Sequence, residues 1–183
     1  DEVQLLPPEF LKPILYALNQ LRTNFGVTLL LMTATQPAFH PQPTVRFDGL
    51  PNTVEIIPDP DELHKKLKRT EIKTPRTLLE PWEWQEIAEE LQEYDTILCI
   101  VNSRKDCRTL WEMMPEGTYH LSALMCGAHR SQRIAAIKKR LKDGKPIRVI
   151  STQLVEAGVD LDFPVVYRAI AGLDSVAQAA GRC

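Results

Sequence analysis

The stretch from Ile97 to Ser103, ILCIVNS, decides the fold class, because five consecutive apolar residues give way at once to polar ones. An uninterrupted apolar run of this length is typical of a strand that is covered on both faces of its sheet. Apolar residues at helical spacing precede the run over Glu83–Tyr94 and follow it over Ser103–Met114. The order helix, buried strand, helix predicts an α/β fold.

The same alternation continues toward the carboxyl end of the chain. The predicted elements are a strand at Thr118–Leu121, a helix at Ala128–Leu141 that Gly144 ends, a strand at Arg148–Ser151, a turn at Leu154–Gly158, a strand at Val165–Ile170 and a helix from Ser175. Strands that alternate with helices form a parallel sheet with helices on both faces. Ligands bind such sheets at the carboxyl ends of the strands, so we examine the residues that follow each strand.

The amino-terminal part of the chain has a different pattern. After Pro7-Pro8, apolar residues at helical spacing predict a helix that Asn24-Phe25-Gly26 ends, and Val27–Thr33 is predicted as a buried strand. Eight of the fourteen prolines lie between Pro37 and Pro81, which predicts a connection over residues 38–81 with one short strand near Val54–Ile57. A connection of this length is more natural between two domains than within one, so we divide the chain into 1–37, 38–81 and 82–183.

Composition excludes several classes of protein. The chain of 183 residues is 44% apolar and 25% charged, which is ordinary for a globular protein and rules out wholesale disorder. The longest aliphatic run, Val27–Met32, is far shorter than the ~20 residues that span a bilayer, so we expect no membrane helix.

The four cysteines form no CxxC pair, which favours reduced, mostly buried thiols in a cytoplasmic protein over a metal site or disulfides. Both ends of the chain look cut, and we expect a fragment of a longer protein.

Charge is unevenly distributed although the formal net charge is only −2. Residues 82–95 carry six acids and no base, whereas 129–148 carry eight Lys or Arg against Asp143 alone. Two solvated helix faces of opposite charge explain this distribution as well as a nucleic-acid surface does. Ser103, Arg104, His129 and Arg130, together with Asn102, are the better candidates for contacts with DNA, because most of them begin helices, where amide groups and cations suit phosphate.

Four short motifs follow strands or lie in the last predicted helix. They are Asp1-Glu2, Thr33-Ala34-Thr35, the pattern Thr152-x-x-x-Glu156-x-Gly158-x-Asp160, and Gln178-x-x-Gly181-Arg182. Taken singly, each is explained by a strand end, a helix cap or turn chemistry. In this order and at these separations they resemble motifs II, III, V and VI of superfamily-two helicases.

Three longer phrases narrow the resemblance to one branch of that superfamily. Residues 120–130 (HLSALMCGAHR), 155–160 (VEAGVD) and 178–183 (QAAGRC) look like the helicase–nuclease of type I CRISPR systems, the effector that the Cascade surveillance complex recruits. The resemblance implies a RecA-like fold, with the end of one lobe in residues 1–37 and most of a second in 82–183. It implies an ATP- and Mg²⁺-dependent motor on single-stranded DNA, coupled to a nuclease domain outside this chain.

The resemblance also implies roles for individual residues. Asp1 would hold Mg²⁺, Glu2 would orient or deprotonate the attacking water, and Arg182 would be an arginine finger that meets the charge developing on the γ-phosphate. Gln178, Gly158 and Asp160 would lie at the nucleotide cleft. Thr33 and Thr35 would couple that cleft to the nucleic-acid track, and Thr152 would bond a DNA phosphate.

Two departures from the family pattern stand out. Gln4 occupies the fourth position of motif II, where this branch more often has His, and the chain ends before a further Arg expected three positions after Arg182. The Gly-x-x-x-x-Gly-Lys-Ser/Thr loop that cradles phosphates is expected upstream of Asp1, so this chain alone is not expected to hydrolyse ATP. Another superfamily-two helicase and a non-hydrolysing scaffold lobe remain alternatives.

The tryptophans are expected to pack in the core or the connection, with base stacking as the alternative.

Overall fold

The computed structural model describes residues 6–33, 49–75, 77, 80–156 and 158–183. The chain divides into two compact units, Asp1–Lys68 and Arg69–Cys183. In the first unit the helices are α1 (Pro8–Phe25) and α2 (Pro60–Leu67). In the second they are α3 (Trp84–Gln92), α4 (Arg104–Met113), α5 (Gly127–Lys142) and α6 (Leu173–Ala180), and the strands are β1 (Thr96–Ile100), β2 (Tyr119–Leu121), β3 (Ile147–Ser151) and β4 (Val166–Arg168). No described helix is both long and apolar enough to cross a membrane.

The second unit is built on a four-stranded sheet in the order β2-β3-β1-β4. Every pairing is parallel, and β1 lies in the centre, where Leu98 is in register with Val149 of β3 and with Val166 of β4. Parallel neighbours require crossover connections, and α4, α5 and the segment after β3 supply them. The predicted α/β fold with a parallel sheet is therefore confirmed.

Both faces of the sheet are covered, because successive side chains of a strand point to opposite faces. On β1, Leu98 and Ile100 join the core cluster that contains Ile137 of α5 and Ala179 of α6. Ile97 and Cys99 join the other cluster, which contains residues of α3 and α4. The acidic helix α3 and the basic helix α5 thus lie on opposite faces of the sheet, which keeps the two charged surfaces apart.

Capping residues explain where the helices of this unit begin and end. Ser103 caps α4, since its Oγ accepts a hydrogen bond from the backbone N–H of Asp106 at 3.0 Å. Glu83 and Glu86 form a reciprocal capping box at the start of α3. Gly144 follows α5 with a φ of 63°, a left-handed conformation that glycine adopts without strain. These boundaries agree with the predicted ones to within one to three residues.

The first unit confirms one predicted element and corrects two. Helix α1 begins at Pro8 and ends before Gly26, as predicted. Val27–Thr33 forms no strand, and the described residues of this unit contain no strand that could pair with it; Val27, Leu30 and Met32 are exposed. The strand near Val54–Ile57 is also wrong, since Val54 is 87% exposed.

Helix α2 is the element that the proline-rich segment concealed. Pro60 occupies its first turn, where the missing N–H costs nothing, and the side chain of Asp59 accepts a hydrogen bond from the Glu62 N–H at 2.8 Å. The two prolines of Pro-Asp-Pro therefore flank an N-cap; they do not exclude a helix. In the same unit Leu15 of α1 and Leu50 are buried together in a small apolar cluster.

The cysteines are only partly where the sequence predicts them. All four are free; Cys99 and Cys107 are buried, and Cys183 is half-buried. The expectation of burial is wrong for Cys126, which is exposed because it is the N-cap residue of α5, at the end of a surface loop.

Candidate functional site

The carboxyl ends of the parallel strands bring three segments of the second unit to one edge of the sheet. Asn102 follows β1, Thr152 and a short 3₁₀ turn (Gln153–Val155) follow β3, and Ile170 follows β4. Backbone hydrogen bonds fix this edge: Val101 N–H donates to Ser151 O at 2.9 Å and Thr152 N–H to Leu121 O at 3.1 Å. Candidate residues from separate parts of the sequence are therefore neighbours here.

Asn102 is held by contacts within the protein. Its Nδ2 donates to Ile170 O at 2.7 Å, and its Oδ1 accepts from Nη1 of Arg168 at 2.6 Å. Its main-chain oxygen accepts a hydrogen bond from Gln153 Nε2 at 3.2 Å. The predicted nucleic-acid residue after β1 is thus tied to the segments after both β3 and β4.

A buried ion pair lies beneath this edge. Arg168 Nε and Glu156 Oε1 are 2.7 Å apart, with only 7% and 6% of the two side chains exposed. Arg168 belongs to β4 and Glu156 directly follows the 3₁₀ turn, so the pair joins two of the three segments. The sequence pattern contains Glu156 only as part of the stretch that resembles motif V, and it gives Arg168 no role. A signal was present: an Arg that interrupts the apolar run Val165–Ile170 needs a partner when it is buried.

Arg182 follows the last turn of α6, and its guanidinium turns back toward the sheet edge. Its Nη2 donates to Glu156 O at 2.7 Å, and its own main-chain oxygen accepts from Phe163 N–H at 2.8 Å. Gln178 lies four residues earlier, half-buried on α6. The predicted finger residue is therefore attached to the segment that contains Gly158 and Asp160.

That segment has an exposed outer side. Gly158 has a φ of 70°, and a Cβ placed on it would meet no atom of the described residues within 4 Å, so the need for glycine is conformational. Asp160 is exposed. By contrast Thr152, for which a contact with a DNA phosphate is predicted, is only 5% exposed, so little of its surface is open to a ligand in this structure.

The remaining nucleic-acid candidates lie at the beginnings of α4 and α5. Arg104 is exposed in the first turn of α4, next to the capping Ser103. His129 is exposed and its Nε2 accepts from Arg133 Nε at 3.1 Å, while Arg130 is half-buried. Both helices begin after strands, so their first turns lie at the carboxyl edge of the sheet with Asn102 and Thr152.

Several candidates belong to the first unit or fall outside the described residues. Thr33 belongs to the first unit, whereas Asp1, Glu2 and Thr35 fall outside the described residues. Gln4 also falls outside them. The described residues contain no group of three or more His, Cys, Asp or Glu side chains that could hold a metal ion. The Mg²⁺ role implied for Asp1 accordingly stays a prediction.

The tryptophans differ in their surroundings. Trp84 packs on the core cluster beneath α3, as predicted, whereas Trp82 is 53% exposed. The Trp111 ring lies 5.6 Å from that of His120, and its Nε1 donates to Thr118 O at 2.8 Å. Burial, assisted by the charge of Arg108, lowers the pKa of His120 and favours its neutral form. Trp111 is 38% exposed and belongs to none of the apolar clusters of the described residues, so packing in the core is not confirmed for it.

Comparisons with known proteins match one family model and two curated proteins that share the same description. Residues 85–183 match the model of the family described as CRISPR-associated nuclease/helicase Cas3, C-terminal. The chain is 29% identical over 195 residues to the CRISPR-associated nuclease/helicase Cas3 of Methanothermobacter thermautotrophicus, an alignment that covers 100% of this chain and 23% of that protein. It is 63% identical over 38 residues to the protein of the same name from Haloferax volcanii, covering 21% of this chain and 4% of that one.

Among solved structures, the crystal structure of T. fusca Cas3-ATP aligns with 55% of this chain and 13% of that one, at a TM-score of 0.47 and 19% identity. The chain thus spans less than a quarter of the length of the curated relatives that it matches.

Proposed function

The chain belongs to the family of the CRISPR-associated nuclease/helicase Cas3, whose C-terminal region its residues 85–183 represent, and we propose that it forms part of an ATP- and Mg²⁺-dependent motor that moves on single-stranded DNA. The resemblance found in the sequence is confirmed at the level of the family. In type I CRISPR interference the full-length protein would be recruited by Cascade and would feed the displaced strand to its own nuclease domain. This role in interference is part of the proposal.

The observation that carries the proposal is the hydrogen bond from Arg182 to Glu156 O, 2.7 Å long. It joins the two stretches of the second unit that resemble motifs V and VI, although 26 residues separate them in the sequence. A nucleotide site needs such convergence, because a cation must already stand where charge develops on the transferring phosphoryl group. The bond to Glu156 O, which restrains the guanidinium, supports this role for Arg182.

The chain's own residues would divide the work as follows. Glu2 would orient the attacking water, and the exposed Asp160 and half-buried Gln178 would contact the nucleotide. Arg182 has five N–H donors in a planar fork, so Nη2 can stay bonded to Glu156 O while other donors reach phosphate oxygens. Mg²⁺, when bound, would neutralise phosphate charge, with Asp1 as its protein ligand.

Single-stranded DNA would run along the carboxyl edge of the sheet. Arg104 and His129 are exposed in the first turns of α4 and α5, where free N–H groups favour phosphate and the Arg104 guanidinium adds a positive charge. The acidic α3 covers the face of the sheet opposite to α5 and would repel DNA there. The charge distribution therefore favours one track.

Steady-state ATP hydrolysis by the full-length parent, with and without single-stranded DNA, tests the proposal. Wild type is compared with Glu2→Gln and Arg182→Ala, and with Arg108→Ala as a control, because Arg108 is an exposed arginine that pairs with Glu112 on its own helix. We expect DNA to stimulate turnover, and both site variants to lose about 10³-fold or more. The control should match wild type.

Turnover that ignores DNA, or that survives Arg182→Ala, would contradict the motor. The region would then be a RecA-like lobe that serves as a binding or scaffold module.

A further inference from the structure

The enclosed charges of Glu156 and Arg168 stand at the centre of the edge where the candidate nucleotide and nucleic-acid residues meet. We propose that these two are positioning residues, which hold the loop after β1 and Arg182 in one fixed arrangement so that bound DNA accelerates ATP hydrolysis. This inference rests on the proposed function. The two side chains touch neither ligand; each acts through another residue.

The burial of the pair needs an explanation beyond stability. Taking two charges out of water is costly, and replacing a buried pair by neutral groups of similar size often leaves a protein equally stable. Here the charged atoms are 2.7 Å apart and at least nine-tenths of each side chain is enclosed. The contact is a close charge pair rather than an aligned hydrogen bond, because neither Arg168 Nε nor Glu156 Oε1 has a hydrogen-bond partner among the described residues. Strong attraction between two enclosed charges nevertheless holds the segments that carry them together.

Each member of the pair has a second contact, and the two contacts lead to different segments. Arg168 Nη1 donates to Asn102 Oδ1 at 2.6 Å, in the loop after β1. The main-chain oxygen of Glu156 accepts from Arg182 Nη2 at 2.7 Å, at the end of α6. Three short contacts therefore connect Asn102 to Arg182, and the middle one is the buried pair.

Asn102 takes a new role in this arrangement. Its side chain already accepts from Arg168 and donates to Ile170 O at 2.7 Å, so two of its four possible hydrogen bonds are made within the protein. It positions the exposed first turn of α4, with Arg104, relative to Arg182. Loss of the Glu156–Arg168 pair would release the loop that contains Asn102 and the segment that contains Arg182 at the same time.

The test uses the full-length parent with Glu156→Gln, Arg168→Lys and the double variant Glu156→Gln/Arg168→Gln. The double variant leaves no unpaired buried charge, so it avoids the instability of a broken pair. Glu112→Gln is the control, because it breaks an ion pair of the same 2.7 Å length that is exposed on α4. Turnover with saturating DNA, KM for ATP and Kd for DNA are measured for each.

We expect all three site variants to lose about 10- to 100-fold of the DNA-stimulated turnover, since small misplacement of a reacting group is enough for such losses. KM and Kd should stay at wild-type values, and Glu112→Gln should be unchanged. A double variant with wild-type stimulation would overturn the inference. So would a double variant that fails to fold, because the pair would then be structural.

Hydrogen exchange separates this inference from the proposed function. In the double variant, residues 101–104, 156–163 and 178–183 should lose protection together, while the central strand β1 keeps its protection. Loss confined to one of these segments would contradict the connection, whether or not the protein hydrolyses ATP. If DNA does not stimulate ATP hydrolysis by the wild-type protein, the proposed function is contradicted. The hydrogen-exchange result would still decide whether the pair joins the segments.

Discussion

Arg182 and Glu156 are joined through a main-chain oxygen, with Nη2 of the arginine 2.7 Å from the carbonyl of the glutamate. Because the acceptor belongs to the backbone, no substitution of the Glu156 side chain removes it directly. The bond fixes the position of Nη2. Because the guanidinium is planar and rigid, this in turn restricts the directions in which its remaining N–H donors point. The identity of the cation should therefore matter as much as its charge.

We expect Arg182→Lys in the full-length parent to be nearly as inactive as Arg182→Ala. A lysine ammonium is a single point charge, so it cannot hold Glu156 O and reach a phosphate oxygen with a separate rigid arm. DNA-stimulated kcat should fall about 10³-fold in both variants. A lysine variant that keeps more than about a tenth of the wild-type kcat would show that charge alone is sufficient.

The two ends of α5 should contribute differently to DNA binding. The helix connects β2 to β3 in a parallel sheet, so Arg130 in its first turn lies at the carboxyl edge and Lys142 in its last turn lies at the opposite edge. In the full-length parent, Arg130→Ala should lower the slope of log K against log salt by about 0.7, the value for one phosphate contact on a single strand. Lys142→Ala should leave it unchanged, and equal effects would place DNA along the whole helix.

The buried thiols should be almost unreactive in the folded chain. Burial, with a smaller contribution from the Cys107 thiol, raises the pKa of Cys99 from 9.0 to about 12, and burial also raises the pKa of Cys107 to about 12. At pH 8 such a thiol has about 1,000-fold less thiolate than an ordinary cysteine, and thiolate is the reactive form. Alkylation followed by mass spectrometry should label the exposed Cys126 first, and denaturant should expose the other two.

The same shifts give the pH dependence of stability. A pKa raised on folding means that the stabilising contribution of the neutral thiols is complete below pH 9.0 and declines as the pH rises from there toward 12. The urea midpoint of wild type should therefore fall between pH 9 and 11, and it should fall less in Cys99→Ala. A Cys99→Ala midpoint that falls as steeply as that of wild type would contradict the assigned cause.

The second unit was predictable because its local and long-range signals agree. The run Ile97–Val101 is apolar at every position, and the strand β1 lies in the middle of the sheet with both faces covered. Ser103 marks the start of α4 both as a preferred capping residue and as the observed N-cap. Where propensity, cap and apolar pattern coincide, a sequence specifies its elements well.

The errors have equally physical causes. Val27–Thr33 has the composition of a buried strand, but composition does not provide the neighbouring strand that a ladder needs. The many prolines of residues 38–81 favoured a connection without a helix, although Pro60 lies in the first turn of α2, where proline is compatible with a helix. The pairing of Glu156 with Arg168 was not predicted, because the interrupted apolar run indicates that Arg168 needs a partner but does not show which distant residue supplies it.

Phe163 should anchor the irregular segment between the ion pair and β4. Its side chain is 1% exposed in the core cluster with Leu161 and Ala179, and its N–H donates to Arg182 O at 2.8 Å. Phe163→Ala leaves a cavity that the sheet cannot close, so the free energy of unfolding should fall by about 3–5 kcal/mol.

Leu173→Ala is the matched control, since it also removes an apolar side chain but one that is 88% exposed, and its effect should stay within about 0.5 kcal/mol. Unfolding of the 183-residue chain in urea can be followed by tryptophan fluorescence, because Trp82, Trp84 and Trp111 all belong to the second unit. Equal losses in the two variants would mean that Phe163 is not part of the core. A large loss in Phe163→Ala alone would show that the segment beside Arg182 is held in place by packing as well as by its hydrogen bonds.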